Sequence, residues 1–339
     1  MTAGTAQARA PLRDLVVIGA SAGGVEVLKE VAGRLPHDLP AAVCIVLHIA
    51  PTRSSALAGI LDRAGALPCA AARDGDELEH GRILVAPPDH HLVVEDGRVR
   101  VSAGPRENGH RPSVDVLFRS AAQARESAVV GVVLSGTRDD GSAGLAVIKS
   151  RGGATVVQDP GDALYAGMPS SAIAHVAVDA VAPLPLIVDA ITALVLGTEL
   201  PPGVHASTPP AAGGGFDGLT LVCPECGGVL TERADAGMTG WGCQVGHRYS
   251  PGSLVEAHEA GVEAALWTAL RRLEDRAALL RRLAERSLAR GRRQSSRMFQ
   301  LQSEQAQGQA ARVRAVVEEA AAAQREREAP DSVRAGELA

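Results

Sequence analysis

The stretch Asp14-Leu15-Val16-Val17-Ile18-Gly19-Ala20-Ser21-Ala22-Gly23-Gly24 decides how this chain is read. An apolar run of strand type ends at Gly19, and a helix pattern begins after Gly24. Between them stands one hydroxyl, Ser21, framed by small residues. A βα turn this lean exposes the serine oxygen at a strand end. It also sets that oxygen beside the unpaired N–H groups of the following helix, where negative charge is stabilised. Gly19-x-Ser21-x-Gly23 has the spacing of a nucleophile elbow. The competing reading is a small residue in a tight turn or a phosphate-binding loop. A dinucleotide fingerprint would need glycine where Ser21 stands, and no lysine has P-loop spacing.

Outward from this turn, short β-rich runs alternate with helical patterns from Leu12 to about Leu196. Strands are expected at Leu15–Ile18, Ala42–Leu47, Ile83–Ala86, Val129–Leu134 and Ala154–Val157. Helices are expected near Gly24–Arg34, Arg53–Asp62, Val114–Ala124, Ser142–Ser150 and Leu184–Leu196. Leu92–Val94 and Val99–Val101 read as an inserted hairpin. Continuous apolar runs such as Val130-Gly131-Val132-Val133-Leu134 suit strands buried on both faces. The fold class is α/β, a doubly wound, mostly parallel sheet.

A serine hydroxyl needs an imidazole to accept its proton, and the imidazole needs a carboxylate to fix its tautomer. In a doubly wound sheet such groups gather at the carboxyl ends of strands. His48 follows the run Val43–Leu47, and Asp139 and Asp140 follow the run ending at Leu134. An α/β-hydrolase runs Ser, Asp or Glu, then His. Here the histidine precedes the aspartate and the elbow follows the first strand, so that topology is disfavoured.

The chain resembles the catalytic domain of CheB-type chemotaxis protein-glutamate methylesterases. The resemblance is carried by Ile18–Gly24, Leu47-His48-Ile49, Ile83–His91, His110-Arg111-Pro112-Ser113-Val114-Asp115, Leu134–Gly144 and Gly167-Met168-Pro169. It implies a serine hydrolase that removes methyl esters from receptor glutamates and also deamidates receptor glutamines. By motif, Ser21 is the nucleophile, His48 the base and Asp140 the orienting acid. Ala22, Gly23 and Thr137 then line an oxyanion site, and His110, Arg111 and Met168 belong to the cleft. Two positions depart from the family pattern: Ala22 replaces a common threonine and Thr137 a methionine. A backbone N–H donor survives both changes. Asp139 is expected to cap the next helix or face solvent. Only about a dozen residues precede the first strand, so no receiver domain is expected.

Beyond Leu196 the material changes. The expected divisions are an unstructured N-terminus (1–11), the catalytic domain (12–196), a Pro/Gly linker (197–218), a zinc ribbon (219–250), a helical extension (251–327) and an unstructured tail (328–339). Cys223, Cys226, Cys243 and His247 are spaced C-x2-C and C-x3-H, a full Cys3His set for structural zinc. So short a segment lacks a core, and metal would supply folding energy. Catalysis itself calls for no cofactor. Leu266, Leu270, Leu273, Ala277, Leu280 and Ala284 form a heptad-like stripe, interrupted near Gly291, which suggests an antiparallel helical hairpin.

The net charge of −5 and 2% aromatic content disfavour nucleic-acid binding. Arginines of the extension alternate with glutamates as on a solvated face. No membrane span or signal segment is visible, so a cytoplasmic location is expected. The expected partners are a methylated chemoreceptor-like protein and, through the helical extension, a signalling partner or a second copy. The rival reading is a catalytically degenerate CheB-like scaffold working through that extension.

Overall fold

The computed structural model describes residues 13–48, 56–209 and 221–328. The expected unstructured segment 1–11, Ile49, the start of the helix near Arg53, linker residues 210–218 and the tail from 329 lie outside the described residues. In chain order the first elements are β1 (Leu15–Ala20), α1 (Gly24–Arg34), β2 (Ala42–Leu47), α2 (Leu57–Ala64), β3 (Cys69–Ala71) and β4 (Ile83–Val85). Then come the hairpin β5 (His91–Glu95) and β6 (Arg98–Ser102), α3 (Val114–Arg125), β7 (Val129–Val133) and α4 (Ser142–Ser150). The α/β region closes with β8 (Ala154–Gln158), α5 (Gly167–His175), β9 (Val178–Ala182), α6 (Leu184–Leu196) and β10 (His205–Ser207).

Eight strands form one sheet in the order β10-β9-β8-β7-β1-β2-β4-β3, parallel except for β10. β1 pairs with β2 on one side and β7 on the other. Chain progression reverses there, which makes the carboxyl ends of β1 and β7 the switch point of the sheet. The apolar runs divide by alternation into two cores. Val16, Ile18, Val43 and Ile45 pack with Leu28, Leu61 and Ile191 on one face. Leu15, Val17, Cys44 and Val46 pack with Phe118, Leu145 and Leu92 on the other. Aliphatic side chains supply nearly all of both cores, as the scarcity of aromatics requires.

Four elements escape the sequence pattern: β3, α5, β9 and β10. They are short or broken by Pro, Gly and Asp, so no period develops. β10 also corrects the linker, because residues 205–207 still belong to the sheet. The ribbon consists of β11 (Leu221–Val222), β12 (Val229–Asp235), β13 (Met238–Gly242) and β14 (Arg248–Tyr249), antiparallel throughout. It does not stand alone. The chain forms two compact units divided between Leu254 and Val255, and the ribbon lies in the first.

The second unit is built from α7 (Pro251–Ala289), which begins in the first unit, and α8 (Arg293–Glu328). Gly291, at φ 71, makes the turn between them. Leu270, Ala277, Leu280 and Ala284 are buried with Ala306, Ala310 and Val317. Ser303 Oγ donates to the Ala277 carbonyl at 2.9 Å, and Arg314 pairs with Glu274, so the helices run antiparallel. No helix among the described residues is long and apolar enough to cross a membrane.

Close approach decides one glycine. A Cβ on Gly19 would lie 2.2 Å from Cγ1 of Val114, a stiff β-branched neighbour. Gly19→Ala is expected to cost about 1–3 kcal/mol in urea unfolding, the usual range for overpacking. Gly97, at φ 77 with open space around it, should accept asparagine within about 0.5 kcal/mol. Equal costs at the two positions would contradict this packing.

Candidate active site

Ser21 lies just beyond β1, in a turn whose Gly23 takes φ 71 ahead of α1. His48 lies just beyond β2, its N–H donating to the Ala20 carbonyl at 3.2 Å. Asp140 lies in the loop after β7. These three strand ends bring the side chains together. Ser21 Oγ is 3.1 Å from His48 Nδ1, and His48 Nε2 is 2.7 Å from Asp140 Oδ2. A carboxylate only accepts, so Nε2 carries the proton and Nδ1 is the acceptor facing serine. The ring therefore uses its nitrogens in the reverse order of the chymotrypsin pattern. Chain topology sets this, because the histidine approaches from the strand next to the serine.

Asp140 is 1% exposed yet well supplied with donors. Beside His48 it accepts from Val114 N–H (2.8 Å), Asp115 N–H (3.2 Å), Ser113 Oγ (2.9 Å) and Asn108 Nδ2 (2.9 Å). Val114 and Asp115 open α3, so the carboxylate occupies that helix's N-terminus. Burial alone would raise its pKa. The His48 hydrogen bond and charge, His110 and the Val114 amide reverse that and hold it well below the usual carboxylate range. Asp115 returns the contact by accepting from Gly141 and Gly144 N–H at the start of α4. Burial, then the charge of Asp140, pushes Asp115 upward.

His110 stacks on His48, with ring centroids 3.7 Å apart and 11° between planes. Arg111 gives Nε and Nη2 to one oxygen of Asp89 (3.0 and 2.8 Å) and Nη1 to the carbonyls of Ala103 and Gly104. Its guanidinium is spent on tying loops together. Met168 is fully buried and donates N–H to the Gly136 carbonyl at 2.8 Å. A Cβ on Gly136 would meet Met168 Sδ at 2.2 Å and Ser21 Cβ at 2.8 Å, so Met168 stands close behind the serine. Ala22 accepts from Ser135 Oγ at 2.9 Å, which stitches the Ser21 turn to the loop carrying Thr137. The Asp139 side chain does not cap α4 and is half-buried. It accepts from Ser253 Oγ (2.7 Å) and Gly252 N–H (3.1 Å) in the first turn of α7. Asn108 carries no motif spacing of its own, and only its place before His110 hinted at it.

Cys223, Cys226, Cys243 and His247 offer ligand atoms all within 4.8 Å of one another. Cys226 and Cys243 sulfurs are 3.6 Å apart, and His247 Nδ1 is 3.5 Å from Cys243 Sγ and 3.7 Å from Cys223 Sγ. His247 Nε2 meets Glu225 at 3.3 Å. Trp241 lines a small cavity with Asn108, Asp115 and Tyr249. Cys44 and Cys69 stand apart, their thiols pushed up to about 12, chiefly by burial, which keeps them protonated.

A family model described as CheB methylesterase matches residues 16–191. A Symbiobacterium thermophilum protein named protein-glutamate methylesterase/protein-glutamine glutaminase is 40% identical over 184 residues, 54% of this chain and 51% of that protein. An Anaeromyxobacter dehalogenans protein of the same kind is 44% identical over 179 residues, 53% of this chain and 52% of its own length. The chain thus spans about half the length of these relatives. A Leptospira interrogans relative is 39% identical with 92% of its length covered. The crystal structure of the Thermotoga maritima CheB methylesterase catalytic domain superposes with a TM-score of 0.51 at 32% identity, covering 54% of this chain and 99% of that one.

The stacked histidine generates a pH dependence. Burial and then the neighbouring His48 push His110 down from 6.5 to about 3. The unfolded chain therefore binds a proton that the folded chain refuses between those values. Stability should fall as pH drops from about 6.5 towards 3, at up to ~1.4 kcal/mol per pH unit. His91, also lowered by burial, acts in the same direction. Urea unfolding of His110→Gln between about pH 6 and pH 4.5 should show a flatter decline than wild type. An unchanged slope would contradict a neutral His110.

Proposed function

Since the chain belongs to the CheB methylesterase family, we propose that it hydrolyses methyl esters of protein glutamate side chains, with Ser21, His48 and Asp140 as its catalytic triad. The continuous contact from Ser21 Oγ through His48 to Asp140, at 3.1 and 2.7 Å, carries this reading. Ser21 Oγ attacks the ester carbonyl while His48 Nδ1 takes its proton. Asp140 holds Nε2–H and stabilises the imidazolium that forms. A neutral His110 against the ring face braces its plane without adding a like charge. The oxyanion is received by N–H groups of Ala22 and Gly23 before α1 and of Thr137 across the cleft. His48 then protonates the departing methoxide oxygen as the C–O bond breaks and methanol leaves, and water attacks the acyl-enzyme with His48 again as base. With glutamine the same steps release ammonia, which supports deamidation as a second activity. The substrate in this reading is a methylated chemoreceptor-like protein met in the cytoplasm.

The four ribbon ligands hold one structural zinc in this reading. Tetrahedral zinc with sulfur and nitrogen donors sets ligand–ligand separations of roughly 3.5–3.8 Å, and the observed 3.5, 3.6 and 3.7 Å fit. Glu225 on Nε2 supplies the outer partner that orients a ligating imidazole. Four protein ligands leave no open position, so the site's contribution is to folding.

Methanol release from methylated receptor membranes is the direct assay. Ser21→Ala should lower kcat by at least about 10⁴-fold with an unchanged circular dichroism spectrum. Undiminished turnover in that variant would overturn the mechanism, and absence of turnover in wild type would favour the scaffold reading. Metal analysis should return about one zinc per chain, lost in Cys226→Ser.

A further inference from the structure

We propose that the metal-organised ribbon is a brace on the triad, acting through Asn108 as a positioning residue for Asp140. This rests on the esterase and zinc readings above. Asn108 is 2% exposed, and its hydrogen-bonding groups are engaged. Its Nδ2 donates to Asp140 Oδ1 at 2.9 Å and to Asp115 Oδ2 at 2.8 Å. Its Oδ1 accepts from Ser250 N–H at 2.9 Å, and its own N–H donates to the Arg248 carbonyl at 2.8 Å. One face of this side chain therefore holds the triad acid, while the other is held by the ribbon's exit strand. Carboxylates on one side and an N–H on the other leave the amide a single orientation.

The path from metal to triad is short. His247, a zinc ligand, is followed directly by Arg248, Tyr249 and Ser250. Tyr249 is 2% exposed, and its hydroxyl lies 3.8 Å from Cys223 Sγ. The Cys243–His247 knuckle also touches the catalytic domain, since a Cβ on Gly246 would lie 3.0 Å from Pro105 Cγ. The ribbon's strands are two to seven residues long, and Leu230, Trp241 and Tyr249 are the large apolar side chains they bury, a small core on which to hold Arg248–Ser250 in register. Divalent metal supplies that order. Without it Ser250 N–H leaves Asn108, the amide turns, and Asp140 loses one of its donors. Ser21 becomes less reactive, while the substrate cleft itself is unchanged.

The test is a double-mutant cycle on the full-length holoprotein with a serine-directed fluorophosphonate, which needs no natural substrate. Cys226→Ser and Asn108→Ala should each lower the maximal rate of Ser21 labelling about tenfold, the effect of losing one hydrogen bond to a charged group. The reagent's half-saturation should stay within about twofold. The double variant should be no slower than the slower single variant. The low-field proton resonance of His48 Nε2–H should shift in both single variants. Ser250→Pro removes the N–H that reaches Asn108 together with the Oγ that accepts from Ser253 N–H, and should reproduce the loss while zinc stays bound, whereas Ser250→Ala, which removes the Oγ alone, should label at the wild-type rate. Multiplicative effects, or a zinc-free Cys226→Ser protein labelling at the wild-type rate, would overturn the brace. Wild type that neither labels nor turns over would instead overturn the esterase reading.

Discussion

Asp140 is an ionised carboxylate sealed from water, and the geometry of the first unit follows from having to satisfy it. Burying an ion costs several kcal/mol. Five donors, at about 1.5–3 kcal/mol each for a charged acceptor, are enough to offset that cost, and five are in place. Two of them are the first amides of α3, so the helix must point its N-terminus at the loop after β7. Asp115 makes the reverse contact with the first amides of α4. The two helices cap each other through carboxylates, which replaces the side-chain caps that neither has of its own. Val114, whose amide holds Asp140, fits only because Gly19 and Gly141 leave room for its side chain. Gly19, the penultimate residue of β1, thus serves the acid as much as the serine.

The same constraint explains the histidine. A doubly wound sheet places the ends of β2 and β7 on opposite sides of β1. An imidazole from β2 must therefore reach across the serine turn to meet a carboxylate from β7. Its Nδ1 faces the near residue and its Nε2 the far one. His110, neutral under burial and against His48, closes the exposed face of that ring. The imidazole then has one plane, one tautomer and one direction for its proton. A hydrolytic serine needs these properties, and they arise here on a topology unlike that of the α/β-hydrolases.

Much of this was legible in the sequence, and what was not has a physical cause. Strands buried on both faces announce themselves as apolar runs, so β1, β2, β4, β7 and β8 were readable. Three strand ends carrying Ser21, His48 and the pair Asp139-Asp140 could be matched because topology restricts where side chains meet, and the family motif chose Asp140 within the pair. The heptad stripe of α7 was readable because its apolar positions recur at fixed steps. Nothing local marks Asn108, which matters through contacts at separations of 32 and 142 residues. Asp139 defeated the local rule for the same reason. Proximity to α4 suggested a cap there, but the helix start it serves lies 113 residues on. β10 was hidden by proline-rich surroundings, since a three-residue edge strand needs only one partner and no pattern.

The adjacent aspartates Asp139 and Asp140 show how an added module can be joined to a site without entering it. The loop after β7 must be rigid, because Asp140 fixes the imidazole. A rigid loop is also a sound footing for another element, and Asp139 receives the first turn of α7 on that footing. Asn108 completes the junction from the other side, its amide group turned to the triad acid and its carbonyl to the ribbon. In the proposed brace, order in the ribbon reaches Asp140 through Asn108, whereas the reacting atoms at Ser21 remain untouched. In the proposed reading the four ribbon ligands leave no position for substrate, but His247 lies three residues before Ser250 in the chain, so a metal held there would set how firmly Asp140 is held.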